Sequence, residues 1–288
     1  MRYSNSVPSQ YAGMLVAHHL IKLLDLAQKQ GQILENISIV PYANPIGLSQ
    51  QILNSHIGRF STSTGVNFNR DYINIGEAVA KRIDGLLTDN ADLNVKLIRD
   101  AFIAEIDSAA GGDVESEMKR ALYKVACSCD IVIDMHCDSD AVLHMYTSER
   151  LWPQLSDLAA EMKSECNLIA PSNGYDSFDE ACSFPWSYLA DRFPSFPIPM
   201  GCESATVELR GESDVSSELT HLFTYPLIHI LTYSFIHLFT YSLIHLFTYL
   251  VKQVTNYFAA KSVFLCMLLD GFTLHANNSL RNKLYQCN

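Results

Sequence analysis

Residues 130–138 read Asp-Ile-Val-Ile-Asp-Met-His-Cys-Asp, a run of β-branched apolar residues that ends in carboxylates and an imidazole. A buried strand gains no stability by ending this way, because polar groups taken out of water cost free energy unless they are partnered. A hydrolytic site at a strand's carboxyl end gains a metal ligand or a base from the same residues. His136 is therefore either a hydrogen-bonded strand-end histidine or a chemical group. Asp134 either orients a neighbouring group or makes a structural pair.

Three further polar clusters bear on that choice. Pro41-Tyr-Ala-Asn-Pro-Ile-Gly47 is a turn-rich loop, readable as turn chemistry alone. Gly58-Arg59 is followed by Asn67-Phe-Asn69-Arg70-Asp71, where guanidinium forks and amides suit capture of a carboxylate, a solvated loop being the alternative. Thr206-Val-Glu208-Leu-Arg210 places a glutamate between apolar strand residues, as a paired core carboxylate or a catalytic base.

In order and spacing, these four clusters resemble the succinylglutamate desuccinylase and aspartoacylase family, zinc deacylases related to metallocarboxypeptidases, over roughly residues 12–215. The resemblance implies that His136 is the third zinc ligand, that Glu208 is the general base, and that Asn69 and Arg70 clamp the substrate carboxylate. Arg59 would polarise the scissile carbonyl. Zinc lowers the pKa of its bound water to about 7, and a nearby carboxylate can then carry the proton to the leaving amine. The implied substrate is a small N-acyl amino acid or a related carboxylated amide or ester.

Two departures from the pattern stand out. The family's first two zinc ligands come from a His-x-x-Glu turn shortly before the first helix, whereas this chain has Val7-Pro-Ser-Gln-Tyr-Ala-Gly13 there. His18 and His19 lie inside the helix and point about 100° apart, so they cannot jointly grip one ion. At the other end a repeat begins almost directly after Asp214, where the family continues into a smaller β-rich domain. The sequence thus leaves open an inactive fragment or pseudoenzyme that has lost its metal. An alternative start and a replaced end are the expected cause.

The elements that must position these groups follow from periodicity. Apolar spacing predicts helices over 14–30, 75–87, 93–109, 116–127 and 152–166, and strands over 37–41, 130–135, 142–146 and 205–209. Alternating strands and helices predict an α/β fold of zinc-carboxypeptidase type, with a mixed, mainly parallel sheet flanked by helices and followed by a low-complexity apolar tail. Sites in such sheets form beyond the strands' carboxyl ends.

Of 51 charged residues, 45 precede residue 216, which divides the chain into a domain over 1–215 and a tail over 216–288 not expected to be an independent domain. From Thr220 to Leu250 the tail repeats an octad with His221, His229, His237 and His245. Eight residues advance a helix by about 80° beyond two turns, so these histidines spiral rather than cluster. The uncharged stretch is long enough to span a bilayer, but the recurring His and Thr-Tyr dilute it, and a translated tandem DNA repeat is the preferred reading over a tail anchor. A net charge of -11 without a basic run excludes a nucleic-acid surface. Eight cysteines with no Cys-x-x-Cys pair, and no signal-like start, are read as free thiols of a cytoplasmic protein.

Overall fold

The computed structural model describes residues 11–33, 36–53, 55–109, 111–171, 177–212, 214–216, 224, 227, 263–266 and 284–287. The octad histidines and residues 7–10 lie outside this set, as does the rest of the repeat apart from the buried Thr224 and Leu227.

The central strand β4 (Ile131–Asp138) is buried along its whole length. It runs parallel to β7 (Glu203–Gly211), which pairs antiparallel with β5 (Leu143–Ser148), and β5 pairs parallel with β6 (Cys166–Ala170). This four-strand centre is extended by β8 (Val263–Cys266) and β1 (Ile37–Ile39) on one side and β9 (Leu284–Cys287) on the other, giving the order β1-β8-β4-β7-β5-β6-β9. Most pairings are parallel, as the alternation of elements predicts.

Helices cover both faces. On one, α1 (Tyr11–Lys29) and α6 (Trp152–Glu161) pack against Ile131, Ile133, Met135, Val207 and Leu209. On the other, α3 (Gly76–Ile83), α4 (Ala91–Ser108), α5 (Val114–Ala126) and α7 (Phe178–Arg192) enclose Val132 and Cys202. Alternate strand residues face opposite sides. Along β4 the second face therefore reads Val132, Asp134, His136, and along β7 it reads Ser204, Thr206, Glu208. The apolar core on this face gives way to polar groups towards the strands' carboxyl ends.

Two segments depart from the sequence expectation. The helix expected over 152–166 ends at Glu161, and Cys166 opens β6 instead. Lys163 takes a left-handed φ of 56°, with Ser164 N donating to Ala159 O at 2.9 Å and Lys163 N to Ala160 O at 3.0 Å. That is the bond pattern of a Schellman stop, masked in the sequence because lysine occupies the place glycine usually takes. The second is α7, which the sequence reading leaves out. It is buried on nearly all sides, so it carries little amphipathic period, and Pro185 interrupts it. A short helix α2 (Pro45–Leu48) and a small hairpin, β2 (Gln51–Ile52) with β3 (Ser55–His56), complete the described elements.

Candidate active site

His136 and Glu208 are register partners across β4 and β7, and both side chains face α7. They are 3% and 1% exposed, so the sheet presents an imidazole and a carboxylate side by side in a nearly water-free wall. Directly after them β7 bulges: Asp138 pairs with Gly211, so three residues of β7 advance against two of β4. Arg210 within the bulge has a φ of 70°. A bulge at this point ends the pairing and re-aims the chain beyond Glu208.

Asp134, one pleat earlier on the same face, is fully buried, and its Oδ2 lies 2.7 Å from His136 Nε2. The two atoms touch without hydrogen-bond alignment, so the carboxylate lies against one edge of the imidazole by proximity and charge. Asp134 is thus placed to act on His136, one of the two roles its position in the strand allowed.

His136 and Glu208 line a cavity of about 100 Å³ together with Asn69 and Arg70. The space suits a small polar molecule rather than a drug-sized ligand. Four of the five residues singled out in the sequence therefore meet at one place. Arg59 is not in that wall: it is half-buried, with its guanidinium carbon 5.6 Å from the ring of Phe60.

The loop residues are held by specific contacts. Asn44 caps α2 by accepting from Gly47 N at 2.8 Å, and its Nδ2 donates to Gly58 O at 3.4 Å, which joins the first cluster to the second. Asn69 Oδ1 accepts from Phe178 N at 2.9 Å, so this side chain satisfies one of the open N–H groups at the start of α7. Arg70 Nη1 donates to Asn69 O at 2.6 Å, folding the guanidinium back on its own segment.

Thr206, from the same cluster as Glu208, adds to the wall, and the rest comes from elements outside the four clusters: Ser177, Asp179 and Glu180 enter from the start of α7, and Tyr146 and Ser148 from β5. Ser177 Oγ donates to Asp179 Oδ1 at 2.5 Å, and Ser204 Oγ donates to Asp179 O at 2.6 Å, which fastens α7 to the sheet. The Ser177-x-x-Glu180 spacing is a helix-start signature that could have revealed this segment. His144 was also missed. It is the register partner of Glu208 on the β5 side and is 6% exposed, with Nδ1 2.9 Å from Val142 O.

The zinc implied by the resemblance needs three protein ligands and a water. Among the described residues, no group of three or more His, Cys, Asp or Glu side chains is gathered so as to hold a metal ion. The cavity wall supplies one imidazole, that of His136, and the described donors do not fit a catalytic zinc. Ala12 in the first turn of α1 packs in one core with Cys137, on the face of β4 opposite His136.

No family model matches the sequence, and no curated protein matches it. Solved structures do. One, from Shewanella amazonensis SB2B, is provisionally assigned to the succinylglutamate desuccinylase/aspartoacylase family; it is 22% identical, covers 78% of this chain and 61% of its own, and superposes with a TM-score of 0.62. A second, a provisionally assigned succinylglutamate desuccinylase/aspartoacylase from Shewanella frigidimarina NCIMB 400, is 23% identical, covers 78% and 60%, and has a TM-score of 0.63. The chain spans about three-fifths of the length of these two proteins. Its fold is the one found in these succinylglutamate desuccinylase/aspartoacylase family structures.

Proposed function

We propose that the cavity over His136 and Glu208 binds a small N-acyl amino acid, or a related amide or ester bearing a carboxylate, and that the chain is a hydrolase of that substrate class. The observation that supports this most is the register of His136 with Glu208 on one sheet face, in a wall shared with Arg70. Arg70 offers a guanidinium fork to a carboxylate. Asp179 and Glu180 offer acceptors to the substrate's amide N–H.

Glu208 is the group placed to accept a proton from an attacking water and return it to the leaving nitrogen or oxygen. Its near-complete burial keeps bulk water from competing for that proton. His136, with Asp134 beside it, borders the same space and is the described residue that would serve as the metal ligand the resemblance implies. The described donors do not complete a zinc site, and Arg59 lies outside the cavity wall.

A second reading is favoured by that incomplete donor set: a binding protein that retains the carboxylate-recognising cavity without turnover. Purified full-length chain separates the two. Hydrolysis of N-succinyl-L-glutamate or N-acetyl-L-aspartate, lost in Glu208→Gln while binding persists, supports the hydrolase; binding without product release supports the second reading. Zinc content by mass spectrometry near one ion per chain would supply the expected cofactor. Turnover undiminished by Glu208→Gln rejects the role given to that residue, and absence of binding rejects both readings.

Among the described residues no helix is long and apolar enough to cross a membrane.

A further inference from the structure

The segment that carries Asn69 and Arg70 hangs from α5, a helix with no residue in the cavity wall. Glu115, in the first turn of α5, accepts at Oε1 from Ser61 Oγ at 2.5 Å, from Ser63 Oγ at 3.3 Å and from Thr64 Oγ1 at 3.2 Å. Those hydroxyls sit in a tight loop closed by Ser61 N to Val66 O at 2.8 Å and Phe68 N to Arg59 O at 3.0 Å. Four residues along the same helix, Lys119 Nζ donates to Arg70 O at 2.6 Å. Lys119 is 8% exposed, unusual for a lysine, and its ammonium lies 5.7 Å from the centre of the Tyr72 ring. Asp71, Asp113 and Glu115 are the carboxylates whose charge acts on that ammonium.

The backbone at this point needs holding. Asp71 has a φ of 57°, a left-handed conformation that a non-glycine residue keeps only when its surroundings impose it. Arg70 Nη1 also bonds to Asn69 O, so the direction of the guanidinium follows the orientation of the 69–70 peptide. The Lys119 ammonium grips the next carbonyl along, that of Arg70.

We infer that Lys119 is the positioning residue of Arg70: by holding the Arg70 carbonyl from behind, it sets the aim of the guanidinium and hence the cavity's preference for a carboxylated ligand. This rests on the reading of Arg70 as the carboxylate-binding group. Lys119 does not touch the ligand and acts only through the 69–71 backbone.

The test compares the full-length chain with Lys119→Met, which keeps the length and removes the donor, and Lys119→Arg, which restores a cationic donor. Equilibrium dialysis is run with N-succinyl-L-glutamate and with its fully amidated counterpart, alongside amide hydrogen exchange over residues 67–72. Lys119→Met is expected to weaken the carboxylated probe about tenfold, as expected for one misaligned charge-assisted pair, with the amidated probe unchanged and exchange at 67–72 raised. Lys119→Arg is expected to recover most of the loss. Equal losses for both probes, or none for either, overturn the proposal. A wild-type chain without preference for the carboxylated probe removes the carboxylate reading of Arg70 itself, and the positioning role falls with it; unaltered exchange at 67–72 in Lys119→Met overturns the tether independently of any ligand.

Discussion

The phenolic hydroxyl of Tyr123 donates a hydrogen bond of 2.8 Å to the carbonyl of Ala181. Ala181 lies four residues before Pro185 within α7, and proline has no N–H with which to close that turn. A side chain from α5 thus supplies the donor that α7 lacks internally. The bond lies in the core between the two helices, where Tyr123 is 1% exposed.

Tyr123→Phe removes the donor and leaves the packing. It is expected to cost about 1–3 kcal/mol, because a buried carbonyl then faces no partner. Urea unfolding with an unchanged slope would register the loss. A variant as stable as wild type shows that this carbonyl finds another donor.

Gly201 faces the ring of Trp186 so closely that an added Cβ would lie 2.3 Å from Cη2. Trp186 is fully buried and meets Phe102 edge to face, with centroids 5.2 Å apart. The rigid indole has no free rotamer to take, so Gly201→Ala is expected to destabilise by roughly 1–3 kcal/mol through overpacking. Thermal unfolding checks this, and an unchanged midpoint would mean that the 201 backbone shifts at no cost.

Glu115 is held below the ordinary carboxyl pKa first by the Ser61 hydroxyl, then by its own backbone N–H and the Thr64 hydroxyl, against the opposing effects of burial and of Asp113. A depressed folded-state pKa contributes stability above the unfolded value, and that contribution is lost as pH falls through the folded value. The stability gap between wild type and Glu115→Gln is therefore expected to stay constant from about pH 6 to 8 and to close below about pH 4. A gap that widens in acid would reverse the assigned sign.

Burial pushes the Cys129 and Cys137 thiols up to about 12, and Glu208 adds to the effect at Cys137. Cys127, also buried, is raised well above its usual value for the same reason. The thiolate is the reacting form, so none of the three is expected to take up iodoacetamide at pH 8 in the folded chain, whereas all three react in urea. Mass mapping of the carbamidomethylated peptides reads this directly. Native labelling at Cys137 would mean that the end of β4 opens to solvent.

The sequence alone determined the α/β class and, through the abrupt appearance of Asp134, His136 and Glu208 in otherwise apolar strands, the place where polarity enters the core. Those signals are local: a strand buried on both faces reads as a β-branched run, and a carboxylate or imidazole inside it is conspicuous. Helix α7 and strand β6 were not legible. The first is buried nearly all round and carries a proline whose cost is met by Tyr123 from another helix, and the second follows a helix stop formed by Lys163 without glycine. The pairing of His136 with Glu208 was decided by strand register, which long-range packing sets and which no spacing between residues so distant in sequence encodes. The same holds for Asn69 against Phe178 and Lys119 against Arg70, where one element supplies the partner that another lacks. Where Arg59 lies relative to the cavity wall likewise depends on the path of the 59–70 loop in space.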